Sequence, residues 1–196
     1  MTQVRVVGEQ MTRIRRSDAV ENRARRLDAA RVLFARDGLD VPMREVARHA
    51  GVGPATLYRH FPTKQDLAAD AFAAEMQVCR AAVDEGLAAP SAWEGLRRMI
   101  DRLCVLHARN RGFTEAFLTT FPDAVDLSTE RRVALDGVAR LVRRAQAEGN
   151  LRRDFRPDDL VLTLLATRGL DGLPEADRPA AARRLAALLV EGLRAG

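Results

Sequence analysis

The chain has 196 residues, 47% of them hydrophobic and 30% charged, enough for a filled core. Its longest nearly unbroken apolar run, Leu160 to Ala166, is far short of the roughly 20 residues that cross a bilayer. The arginine-rich beginning offers no apolar stretch for a signal peptide, so a soluble, cytoplasmic protein is expected. Cys79 and Cys104 suit neither a disulfide framework nor a zinc site. Net charge is +5, unevenly spread: 13 basic against 7 acidic residues through Lys64, then 19 against 20 from Gln65 onward. That is the footprint of a nucleic-acid-binding head on a neutral body, with a solvated basic tail as the plainer alternative.

Residues 1–18, with Arg13, Arg15 and Arg16, show no period and read as a disordered arm. The rest follows a helical period, which predicts an all-α chain of about nine helices. Leu27, Ala30, Leu33 and Phe34 form one face of a first helix, ended by Gly38 as a C-cap residue. A short helix from Met43 to Ala50 turns Val46, Ala47 and Ala50 inward, and Gly51-Val52-Gly53 breaks it. The next begins at Pro54, a good first-turn residue, and buries Leu57 and Phe61. Thr63 with Asp66 makes a capping box that opens one long helix toward Glu85, and Ser91 with Glu94 makes another. Further helices are expected over 92–110, 113–121, 127–148, 157–169 and 176–194. The implied division is an arm at 1–18, a helix-turn-helix domain at 19–66, and a ligand-binding and dimerisation domain at 67–196.

Two short helices joined by a three-residue glycine turn describe a helix-turn-helix. Here the glycines permit a positive φ, and Val52 can drop between the helices. With Leu57 and Phe61 facing inward, Ala55, Thr56 and Arg59 point outward, and Tyr58 and His60 stand at the flank. The small residues Gly53, Pro54 and Ala55 let the helix start approach base edges and phosphates. Lys64 is the only lysine. At a helix N-terminus its charge opposes the macrodipole, which makes sense if a phosphate is held there. Tyr58, the only tyrosine, has packing of the small domain as its plainer alternative, and Arg59 reads either as base readout or as a solvated helix face.

These residues strongly resemble the TetR family of repressors. The landmarks are Leu27, Ala30, Leu33-Phe34, Gly38, Val46-Ala47, Gly51-Val52, the string Thr56-Leu57-Tyr58-Arg59-His60-Phe61, and Lys64. They cover residues 22–72; behind them only helical architecture and length match. The segment Phe117-Leu118-Thr119-Thr120-Phe121-Pro122-Asp123 is similar to an actinobacterial subgroup. The resemblance implies that Arg44 reaches a base edge or phosphate, and that Thr56, Tyr58, His60 and Lys64 touch phosphates. It also implies a homodimer whose last two long helices pair, and a near-palindromic double-stranded operator released by a small-molecule effector. Two recognition helices must then fall in successive major grooves, about 34–36 Å apart.

Leu160 and Leu164 on an all-apolar helix, with Leu185 and Leu189 on the last one, suit that interface or else fill the monomer core. An effector pocket is expected among Met76, Trp93, Met99, Leu103, His107, Phe113, Phe117 and Phe121, each of which reads also as core. His107 would be its polar handle, and Cys79 or Cys104 a redox-active thiol. No cofactor and no metal are expected: His49, His60 and His107 lie on different helices. Gly51-x-Gly53 follows a helix where a dinucleotide fingerprint needs a strand. An all-α enzyme is disfavoured because no acid/base constellation can be assembled. An architectural DNA-binding protein is disfavoured because the body exceeds what DNA binding requires.

Overall fold

In a computed structural model, described for residues 21–120 and 125–195, the chain is helical with no strand among the described residues. The expected arm lies outside them, as does Phe121. Residues 21–37 form α1, followed by α2 (Met43–His49), α3 (Pro54–His60), α4 (Lys64–Ala71) and α5 (Ala73–Ala88). Then come α6 (Ala92–Arg109), α7 (Arg111–Glu115), α8 (Val125–Ala147), α9 (Pro157–Ala166) and α10 (Arg178–Gly192). A wider, π-type turn (Ala116–Thr120) extends α7, and a 3-10 stretch (Thr167–Gly172) extends α9. The described helices number ten, against about nine expected, because one of the predicted helices is two.

That helix is the one opening at Thr63. Its capping box is formed: Thr63 Oγ1 accepts from the Asp66 N–H at 3.0 Å, and Asp66 accepts from the Thr63 N–H at 2.9 Å. The helix then bends at Phe72, where φ −105° and ψ 15° leave helical values. No glycine or proline stands there. The cause is Arg31, whose Nε donates to the Ala71 carbonyl at 2.6 Å. That carbonyl would otherwise serve the N–H four residues on, and a side chain inserted into the ladder is a recognised source of kinks. The bend sets the buried Phe72 ring 6.0 Å from Phe34 and 5.8 Å from Phe113.

The α5–α6 corner departs from expectation in a second way. Ser91 Oγ accepts from the Glu94 N–H at 3.4 Å, but the Glu94 carboxylate turns to Arg97, so no reciprocal box forms. Glu148, at the end of α8, does the capping instead. It accepts from the Ala92 N–H at 2.8 Å and the Trp93 N–H at 3.3 Å. These bonds, led by the one from Ala92, hold its carboxyl below the ordinary range. One turn earlier Arg144 donates to the Leu87 and Ala89 carbonyls that end α5. A single turn of α8 therefore satisfies orphan groups at two other helix ends.

Around α6, helices α5, α8 and α10 pack closely, and α9 joins α6 and α8. Apolar contact is continuous from Leu27 in α1 to Val190 in α10. Where the first three helices meet the body, α7 comes against the end of α1. A Cβ built on Gly112 would lie 2.7 Å from the Phe34 backbone, so only glycine fits that approach.

Candidate nucleic-acid interface and effector cavity

In the head, α1 supplies the floor: Leu27, Ala30, Leu33 and Phe34 are buried as expected, and Gly38 ends the helix at φ 77°. α2 buries Met43, Val46 and Ala47. The turn needs a positive φ at Gly51 alone (69°); Gly53 is extended at −70° and serves as N-cap of α3. The Val52 N–H bonds back to the Ala47 carbonyl at 3.0 Å, and its side chain packs half-buried against the core. Leu57 and Phe61 then lock the inner side of α3.

This inner anchorage leaves Gly53, Pro54, Ala55, Tyr58, Arg59 and His60 exposed, with Arg44 exposed on α2. Tyr58 is 49% exposed, too open for a packing residue. Thr56 is half-buried at the edge of this face. Lys64 behaves differently: its Nζ donates to the Leu39 carbonyl at 2.7 Å, tying α4 to the segment after α1. The cation that looked misplaced therefore has an intramolecular partner.

Sequence reasoning passed over a basic group on α1. Arg26 is buried, and its Nε has no hydrogen-bond partner among the described residues. Burial, then Arg23, Arg25 and Arg59, depress its basicity, so these guanidinium groups share one field. His60 feels it too: burial first, then Arg26, Arg59 and Arg23, hold it below its ordinary value. Arg23 also lies over the Phe61 ring, its Cζ 6.0 Å from the centroid, while pairing with Asp70 at 2.6 Å. The run Arg23–Arg26 was the signal available for this cluster.

In the body, the eight pocket candidates are not one lining. Leu103, His107 and Phe117 border an inner cavity of about 30 Å³. Met76 and Phe117 border a cleft of about 220 Å³ between α5 and α8. Trp93 and Phe113 border neither; Trp93 sits under Arg194, its ring centroid 5.6 Å from the Cζ. Met99 lines a separate crevice with Gly86 and Gly95. Both thiols are buried and their pKa pushed up to about 12 by desolvation, which keeps them protonated and unlike the thiolates of reactive cysteines. Among the described residues no group of His, Cys, Asp and Glu could hold a metal ion.

The expected interface leucines also separate. Leu160 and Leu164 are buried in the chain's own core and offer nothing to a partner, which corrects the sequence expectation for them. Leu185 and Leu189 are half-exposed on α10. The free apolar side chains on these helices are Leu162 on α9, 64% exposed, and Leu188 on α10, 56% exposed. A helix apolar all round has one side for the core and one for elsewhere.

Comparison with known proteins gives the head and body separate matches. Residues 27–71 match the model of bacterial regulatory proteins of the tetR family, and residues 92–195 match that of the SbtR-like transcriptional regulator C-terminal domain. A helix-turn-helix transcriptional regulator of Staphylococcus aureus is 45% identical over 53 residues, 26% of this chain and 29% of its own length. The transcriptional repressor KstR of Mycolicibacterium smegmatis is 36% identical over 103 residues, 52% of this chain and 50% of that one. The chain thus spans half or less of these curated relatives. A TetR regulator of Streptomyces coelicolor, SCO0520, is similar in structure at 31% identity, with a TM-score of 0.51 over 88% of this chain and 98% of that one. No described helix is long and apolar enough to cross a membrane. The exposed α3 face over a helix-turn-helix core, with both models matched in order along the sequence, makes this chain a member of the TetR family of DNA-binding transcriptional regulators.

Proposed function

We propose that the protein is a cytoplasmic, homodimeric repressor that holds a near-palindromic operator and lets go when a small molecule enters the body. One observation carries the DNA contact: Tyr58, Arg59 and His60 stand exposed on α3 beside Arg44, over fully buried Leu57 and Phe61. The roles are Arg44 and Arg59 toward base edges or phosphates, Thr56, Tyr58 and His60 toward phosphates, and Gly53, Pro54 and Ala55 as the close approach. Arg23 and Arg26 add positive field behind them. Lys64 keeps two of its three ammonium donors for a phosphate while the third holds the Leu39 carbonyl.

The division of labour is a head at 19–66 and a ligand-binding and dimerisation body at 67–196. The naming of KstR as a repressor supports the direction of control. Effector control needs two arrangements of head and body with different ligand affinities, typically a coupling of about 1–3 kcal/mol. Phe34, Phe72 and Phe113 supply a packed route between the two regions. An enzymatic role has no support in the site chemistry. The test is selection of bound genomic DNA followed by footprinting. One short protected near-palindrome per dimer supports the reading; a sequence-blind affinity that falls steeply with salt indicates an architectural binder instead.

A further inference from the structure

His107 on α6 is 2% exposed, and its Nδ1 stands 2.9 Å from Thr114 Oγ1. The same oxygen lies 3.1 Å from the His107 carbonyl and 3.1 Å from the Asn110 carbonyl. A hydroxyl has one proton. Aimed at Nδ1, it would leave Oγ1 facing two carbonyl oxygens with no hydrogen between them. The arrangement is satisfied when Thr114 donates to a carbonyl and accepts from Nδ1–H, which assigns the tautomer from its network. Nε2 then carries a bare lone pair. Burial pushes the ring pKa down to about 3, so at neutral pH the imidazole is uncharged and Nε2 remains an acceptor. Phe113, stacked at 5.2 Å, and Phe117, at 6.5 Å, hold the ring in place.

Nε2 has no partner among the described residues, although buried polar atoms are ordinarily satisfied. The ring borders the inner cavity of about 30 Å³, whose wall is otherwise mostly apolar, with Leu103, Leu118, Val138 and Leu160 among its members. Arg131 is the charged member of that wall, and its Nε is likewise buried without a partner among the described residues. This space takes a water-sized group and little more. It shares Cys79, Val83, Phe117 and Ala134 with the larger cleft of about 220 Å³. A molecule seated in the cleft would therefore present one small terminal group to the inner chamber. The π-type turn carrying Phe117 and Leu118 forms part of the partition, and such turns often occur at functional sites.

We propose that His107 Nε2 is the receiving end of the effector site and selects an apolar molecule ending in a hydroxyl group. This rests on the effector-released reading above. A hydroxyl both donates and accepts, so it answers the unmet acceptor on His107 and the unmet donor on Arg131 together. An ether, ketone or carboxylate end would set lone pairs against Nε2, and a site built to hydrogen-bond a group discriminates strongly against analogues lacking it.

The test uses the full chain and two probes of nearly equal size, 1-naphthol and 1-fluoronaphthalene, the second without a donor. Nitrogen-15 labelling of the 3 histidines reads the tautomer directly. The expected spectrum shows His107 protonated at Nδ1 and unchanged from pH 8 to pH 5. By calorimetry 1-naphthol should bind at least tenfold more tightly than the fluoro compound, with the difference lost in His107→Phe. Should that variant fail to fold, the wild-type pair still decides. A proton on Nε2, or equal affinity for both probes, overturns the assignment and leaves an effector cavity of other chemistry. Binding of neither probe also overturns it, a buried water then serving Nε2. The effector-released repressor reading fails separately, if the dimer protects no discrete DNA site.

Discussion

Phe72 meets Phe113 edge-on, ring centroids 5.8 Å apart at 61°, where the bend between α4 and α5 faces α7. One ring belongs to the bend leaving the head, the other to the short helix beside the inner cavity. Aromatic pairs of this geometry contribute about 0.5–1.5 kcal/mol beyond their buried area. A double-mutant cycle of Phe72→Leu and Phe113→Leu should return a coupling of that size by denaturant unfolding. Phe72→Ala alone should cost about 3–5 kcal/mol, as large aromatic truncations in cores do. A coupling indistinguishable from zero would mean the two regions communicate elsewhere.

Glu148 makes the α6 cap dependent on one carboxylate. Replacing it by Ala should cost about 1 kcal/mol at pH 7, the ordinary value of a lost N-cap. Because the folded state holds this carboxyl below its usual range, its stabilisation is full above the unfolded carboxylate pKa. It is lost as pH falls through the folded value, below roughly pH 4.5. Melting temperatures of wild type and Glu148→Ala should therefore converge in that acid window. Convergence absent down to pH 3 would show that the side chain acts otherwise.

His107 has the opposite chemistry but the same direction. Its folded pKa of about 3 lies below the unfolded imidazole value, so between roughly pH 6.5 and pH 3 the unfolded chain binds the extra proton. Stability should fall with falling pH through that window, on the order of 1 kcal/mol per pH unit from this residue. The slope should be shallower in His107→Phe when urea midpoints are compared at pH 7 and pH 5.

On the DNA face, Tyr58→Ala and Arg59→Ala should weaken operator binding without moving the melting temperature, since both side chains are exposed. If Arg59 holds a phosphate, the slope of log affinity against log salt should drop by about one per half-site in its variant, and stay unchanged for the neutral Tyr58. Lys64→Met should differ: losing the bond to the Leu39 carbonyl should cost about 0.5–1.5 kcal/mol of stability as well. Equal melting temperatures for Lys64→Met and wild type would put its ammonium in solvent.

For the dimer, Leu162→Glu with Leu188→Glu should give folded monomers by sedimentation, because both side chains are exposed in the single chain. Leu160→Glu should unfold the protein instead, by burying an unpaired charge. A folded double variant that remains dimeric would place the interface on another face.

The head was legible because its signals are local. The Thr63–Asp66 box, the Gly51 turn and the Leu57/Phe61 stripe each lie within a few residues of sequence, and all formed. What was not legible depends on side chains arriving from afar. Arg31 bends a helix 40 positions later, and Glu148 caps one 56 positions earlier. Lys64 shows the same reach: a charge opposing a helix dipole suggests an external anion, and the carbonyl that also receives it lies 25 residues back. In the body, apolar residue type named candidates that the structure spreads over several cavities and the core. It could not separate Leu103, His107 and Phe117 from Trp93 and Phe113, which differ in direction and not in chemistry. Leu160 and Leu164 were ambiguous between core and interface, and the side of α9 they occupy resolves it.

The close seat of Gly112 on Phe34 restricts how the molecule can move. A single hydrogen atom is all that separates the α7 backbone from the α1 backbone at that point, so the joint is already fully shut. Head and body can part or slide there, but they cannot come closer. The contact works as a mechanical stop, and any swing that re-aims the DNA-reading face must open away from it. A bulkier residue at position 112 would wedge the joint ajar and, on the proposed effector-released reading, imitate the releasing state permanently and without any ligand.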